Sequence, residues 1–133
     1  MIDKIADYLY DKIEFLHDWD RDRFVDMMYW YAANGLLFAI KGKDDEIVGA
    51  SAVRITNKDD EYARDEHYNH DPEGDTYYIE FMASDEKYAR MRMLDMAIEK
   101  LGVKKWVQYE KFKDCNRLVT LPANRFKQIH QIG

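Results

Sequence analysis

Apolar residues at Ile2, Ile5, Ala6, Leu9, Ile13 and Leu16 recur three or four apart, with Asp3, Lys4, Asp7, Asp11, Lys12 and Glu14 between them. That spacing predicts an amphipathic helix over residues 2–17. Asp18 or Asp20 then caps a second helix carrying Phe24, Met27, Met28 and Tyr31, which Asn34 and Gly35 end. The pattern next switches to β-rich runs, Leu36–Lys41 and Glu46–Thr56, separated by a Gly42–Asp45 turn, and so predicts a hairpin. Gly49 within the second run predicts a bulge or a close backbone contact. Asn57–Asp75 has no apolar period and is dense in acids, Asn, Pro and Gly, so it reads as a long exposed loop. Thr76–Ala83 is the next strand, Lys87–Leu101 a helix closed by Gly102, and Val103–Phe112 a further strand. Tyr88, Met91, Leu94, Ile98 and Leu101 supply that helix's buried face. Ser84, Asp85 and Glu86 read as its N-cap and acidic first turn. Asp114 or Asn116 starts a short last helix that Pro122 ends or interrupts, leaving residues 123–133 as a terminal strand or tail.

Composition narrows the class. A chain of 133 residues, 47% apolar, forms a single domain with one sizeable core. It contains no run of eighteen apolar residues and its start mixes acids and bases, so neither a membrane span nor a secretory signal is expected. Cys115 is the single cysteine and cannot form an internal disulfide, which suits a reducing, cytoplasmic compartment. Nothing beside it in sequence marks a nucleophile.

Charge is unevenly spread. Residues 1–84 carry 9 Lys and Arg against 20 Asp and Glu, and residues 85–133 carry 11 against 6. The C-terminal part therefore suits either an anionic ligand or a solvated strand bearing Lys104, Lys105, Lys111 and Lys113. The net charge of -6 opposes a nucleic-acid partner. His67, His70 and Asp71 raise a metal reading, but their spacing matches no strong ligand motif, and no metal is expected. The loop 57–75 is long enough to act as a lid or to contact a protein partner.

This order of helix, helix, hairpin, loop, strand, helix, strand and short helix resembles the GNAT superfamily of N-acetyltransferases. The resemblance covers residues 2–126 and rests on element order with two local patterns, FAIKGKDDEIVGASAVRI and YYIEFMAS followed by a helix and VKKWVQYEKF. It implies an α+β fold with a mixed, mostly antiparallel central sheet flanked by helices. The family's first strand would be missing and the C-terminus shortened, as in small divergent members found among bacteriophage products. The shortened end leaves part of the usual acceptor groove to be completed by a second subunit, which would make a homodimer.

The resemblance also implies a site. In that family the strand matching Tyr77–Ala83 splays from its neighbour and the acyl group of acetyl-CoA lies in the notch. Backbone N–H groups near Phe81 and Met82 would hold the thioester carbonyl, and Glu80 stands where the family often places a general base for the attacking amine. A polar residue on the strand's exposed face is the other reading of Glu80. The turn into the next helix would hold the pyrophosphate through Lys87, Ala89, Arg90 and Arg92. Both glycine positions of the family's phosphate turn are filled, by Arg90 and Arg92, so side chains would have to replace backbone contacts. The expected activity is transfer of an acetyl group from acetyl-CoA to an amine-bearing small molecule or protein. A non-catalytic GNAT-like module acting through protein contacts is the alternative.

Overall fold

The computed structural model describes residues 1–63, 65–111 and 117–126. Cys115, the helix start expected at Asp114 or Asn116, and the tail 127–133 lie outside the described residues. The elements run α1 (Ile2–Lys12), a 3-10 helix (Glu14–Asp18), α2 (Arg21–Ala33), β1 (Leu37–Lys41), β2 (Ile47–Thr56), β3 (Thr76–Ser84), α3 (Lys87–Leu101), β4 (Trp106–Lys111) and β5 (Arg117–Pro122). The first expected helix is thus broken at Ile13, whose backbone is extended (φ -101°, ψ 104°). The break lets Leu16 stay fully buried while the chain turns toward α2. Asp20 caps α2 by accepting from the Asp22 N–H at 3.0 Å.

Five strands form one sheet in the order β1-β2-β3-β4-β5. Every neighbouring pair is antiparallel except β3 and β4, which are parallel and joined by α3. The fold is mixed α+β with a mostly antiparallel sheet. One face carries Ala50, Ala52 and Phe81 against α1 and α2, packed with Leu9, Phe24 and Met28. The other carries Val53, Ile55 and Tyr77 against Ala89, Met93 and Ala97 of α3.

Two expectations about the later elements are corrected. Residues 117–122 are strand rather than helix, because β4 offers a free edge to pair with, from Trp106↔Pro122 to Lys111↔Arg117. Pro122 suits the end of that edge strand, where no N–H is required. The buried stripe of α3 is Ala89, Met93 and Ala97, while Tyr88 is 47% exposed. Small side chains face the sheet because the helix lies close to it. The loop 57–75 is largely exposed, as expected, and its backbone is in addition anchored on Arg54.

Gly49 shows why α3 can approach. The β1–β2 register skips Val48, so a bulge adjoins Gly49. A Cβ at Gly49 would lie 2.9 Å from the Ala89 Cβ and 3.3 Å from the Met93 Cε. Both readings made from the sequence at this glycine therefore hold. Gly49→Val is expected to lower stability by about 1–3 kcal/mol through overpacking, seen as a lower urea midpoint that Ala89→Gly partly restores. An unchanged midpoint would show that the helix yields freely there.

Candidate functional site

Two irregularities in β3 build the site. The β2–β3 register passes from Ala52↔Phe81 to Val53↔Ile79, leaving Glu80 as an extra residue. A bulge of this kind turns two successive side chains to the same face. Glu80 and Phe81 accordingly both point toward the α1–α2 side, Glu80 onto Arg54 and His67, Phe81 onto Phe24. At the same point the parallel pairing with β4 stops. It runs from Thr76↔Trp106 to Ile79↔Tyr109, whereas β3 continues to Ser84. Beyond Ile79 no described residue pairs with the β4-facing edge of β3.

A cleft of ≈ 220 Å³ opens where the strands part, lined by Glu80, Phe81, Met82, Tyr109, Glu110 and Phe126 among others. A smaller cavity of ≈ 110 Å³ continues it past Glu80 to Phe15, Trp19, His67 and Tyr78. The two share Phe15, Ile79, Glu80, Phe81 and Glu110. On the α3 side, a narrow apolar slot of ≈ 30 Å³ shares Ile79, Met82 and Phe126 with the cleft and is also lined by Arg90.

Glu80 is held firmly. Its side chain is 6% exposed, with Oε2 accepting from Arg54 Nη2 at 2.8 Å and Oε1 in contact with His67 Nδ1. Arg54 is fully buried, and its guanidinium also donates to the carbonyls of Ala63 (2.7 Å), Glu66 (2.8 Å) and Asn69 (2.9 Å). Tyr78 lies beneath it, the ring centroid 4.6 Å from Cζ. The loop 57–75 thus folds its backbone around a cation, which satisfies carbonyls that would otherwise need water. Further ties are the Tyr31 hydroxyl donating to the His67 carbonyl at 3.1 Å and the Ile55 N–H donating to His70 Nδ1 at 3.0 Å.

The two imidazoles are consequently set in opposite ways. The hydrogen bond to Glu80 raises the His67 pKa above its ordinary value, against a smaller opposing effect of burial. Burial lowers that of His70, whose Nδ1 must stay unprotonated to accept from Ile55. Among the described residues no group of three or more His, Cys, Asp or Glu side chains is placed to hold a metal ion.

Of the residues named from the sequence, Glu80, Phe81 and Met82 meet at the cleft. Arg90 is half-buried in the adjoining slot, and its Nε is buried with no hydrogen-bond partner among the described residues. Ala89 is sealed under α3 against Gly49. Lys87 and Arg92 are exposed on α3 and line neither cavity. The expected acidic cap on α3 is absent. Ser84 ends β3, the Asp85 carboxylate pairs with Lys12 at 2.9 Å, and Glu86 occupies the N-cap position without a side-chain cap bond. No acid stands in the helix's first turn.

Arg54 and the aromatic wall of Phe15, Trp19 and Tyr78 were missed from the sequence. A lone arginine inside the apolar run GASAVRIT was the available signal for the first; the wall had none, because its members come from separate segments.

Fold and site define the protein no more narrowly than a mixed α+β domain with a buried charged cluster set where two parallel strands part. Comparison with family models, curated proteins and solved structures finds no match to this chain. Among the described residues no helix is long and apolar enough to cross a membrane.

Proposed function

We propose that this protein is a GNAT-type N-acyltransferase that moves an acetyl group from acetyl-CoA to an amine in the cleft between β3 and β4. The observation that carries the reading is the parting of these parallel strands just after Ile79 and Tyr109, at the bulge that presents Glu80. An unladdered strand edge supplies backbone donors to a thioester carbonyl, and developing negative charge on that oxygen is what such donors stabilise. Phe81 and Met82 lie on that edge.

The residues present also suit the anionic end of acetyl-CoA. Glu86 at the N-cap of α3 makes no side-chain cap bond and the Asp85 carboxylate is drawn to Lys12, so the dipole of the helix N-terminus is left to favour a phosphate. Arg90, the fourth residue of α3, has a buried Nε without a hydrogen-bond partner among the described residues and offers a side-chain donor where the usual glycines are missing. Lys87 and Arg92 add positive charge at its surface.

A second reading is a non-catalytic module of the same fold. It is favoured by the filled glycine positions, Arg90 and Arg92, and would use the exposed acids of the loop 57–75 to contact a protein partner. Isothermal titration of acetyl-CoA and CoA separates the two. Micromolar binding is expected, weakened about tenfold or more by Arg90→Glu, as for loss of a charge-assisted bond to phosphate. Circular dichroism of the variant checks that α3 is retained. No heat signal at millimolar ligand would remove the enzyme reading and leave the module.

A further inference from the structure

Resting on the acyltransferase reading, we infer that His67 is the catalytic proton acceptor for the attacking amine, and that Glu80 is its positioning residue, held in turn by Arg54. The geometry departs from the expectation that Glu80 itself takes the proton. Each Glu80 oxygen already has a partner, Oε2 the Arg54 guanidinium and Oε1 the His67 imidazole. Arg54 is fully buried and bound by four acceptors, so it cannot swing away to release the carboxylate without leaving several groups unsatisfied. His67 is the accessible member of the cluster, with its side chain 40% exposed against 6% for Glu80 and 0% for Arg54.

With Nδ1 committed to Glu80, Nε2 is the ring nitrogen left for chemistry. An Nδ1–H donated to the carboxylate fixes the tautomer whose Nε2 carries a lone pair. His67 lines the smaller cavity beside the cleft, together with Trp19, whose ring stands edge-on at 5.8 Å between centroids. That cavity meets the acyl cleft at Glu80 and Phe81, so it is the side from which an acceptor would approach. Its wall of Phe15, Trp19, Tyr78 and Phe81 suits an amine carried on an aromatic or apolar stem.

The proton balance is simple. As the amine nitrogen bonds to the acyl carbon and the carbon–sulfur bond breaks, the sulfur leaves with the electron pair. The nitrogen's proton passes to Nε2 of His67, and the imidazolium returns it to water while the thiolate takes one from solvent. The charged groups facing His67 are Glu80 on β3, Arg54 on β2 and Glu110 on β4, while Tyr31 on α2 holds its carbonyl and Trp19 flanks its ring. The hydrogen bond that the Glu80 carboxylate accepts from Nδ1 stabilises the imidazolium, so the raised pKa puts the rising limb of the pH profile above the ordinary histidine value.

The test has two arms on the intact chain. In the first, the His67 imidazole is titrated by NMR without ligand, in the wild type and in Glu80→Gln. A pKa above 6.5 that falls in the variant is expected; an unchanged pKa overturns the positioning role. In the second, CoA release from acetyl-CoA with 2-phenylethylamine as acceptor is followed across pH. His67→Gln should lower kcat by about 10²–10⁴-fold with acetyl-CoA affinity retained by calorimetry, and Glu80→Gln should move the rising limb to lower pH. A His67→Gln protein that binds acetyl-CoA and keeps the rate and its pH limb overturns the inference, as does a wild type that binds acetyl-CoA but acetylates neither this amine nor spermidine. Failure of acetyl-CoA to bind the wild type is a different result and removes the acyltransferase reading itself.

Discussion

Arg54→Met is expected to destabilise the protein by about 3–5 kcal/mol, the range seen when one partner of a buried ion pair is removed. The reason is what remains. Glu80 would be left with its carboxylate nearly buried and only His67 beside it, and the carbonyls of Ala63, Glu66 and Asn69 would lose their donor. The loop 57–75 would also lose the centre around which it folds. Urea denaturation followed by tryptophan fluorescence measures the loss. The double variant Arg54→Met with Glu80→Leu should recover part of it, because the orphaned charge is gone, but not all, since the three carbonyls still lack a partner. A loss below about 1 kcal/mol, typical of an exposed pair, would mean that the guanidinium is not desolvated and that the cluster is not rigid enough to position His67.

Phe81→Ala is expected to cost about 3–5 kcal/mol, as for other buried aromatic truncations. Phe81 is 3% exposed and stands at the centre of an aromatic group, with ring centroids 5.4 Å from Phe24, 5.5 Å from Trp19 and 6.2 Å from Phe15. Those three rings come from α2 and from the segment joining it to α1, so one side chain ties the helical layer to the bulged strand. Truncation leaves a cavity that backbone movement closes only in part. Phe81→Leu should retain roughly half of the lost stability, because most of the volume is kept. The denaturation midpoint reads both variants, and equal midpoints for Phe81→Ala and the wild type would show that the cluster closes over the gap. Phe81 thus supports the site through its ring, while its backbone borders the cleft.

The parts of the fold legible in the sequence share a physical property. The α1 stripe, the Asp20 cap and the β1–β2 hairpin all depend on residues a few positions apart, where helix spacing, capping chemistry and turn residues act directly. The buried face of α3 differs from the one that its large apolar residues predict. The sheet approaches too closely for them at Gly49, and Ala89 and Ala97 fit instead. The strand Arg117–Pro122 is not predicted for a related reason: its ladder partner is β4, and no local signal announces an edge that another element leaves free.

The site divides in the same way. Glu80 could be singled out as a charged residue in a strand, and His67 and His70 as imidazoles in an acidic loop, but nothing in their spacing joined them. His67 and Glu80 are 13 residues apart, and Arg54 and Glu80 are 26 apart. From sequence alone came the types of the elements from α1 to β4, the turn chemistry, and the acidic N-terminal and basic C-terminal parts. The pairing of Arg54 with Glu80, the bulge that turns Glu80 and Phe81 to one face, and the gap between β3 and β4 arose only once distant segments packed together. A buried charge is stable only where acceptors surround it, and here those acceptors come from β3 and from three positions of a loop whose conformation exists only in the folded chain.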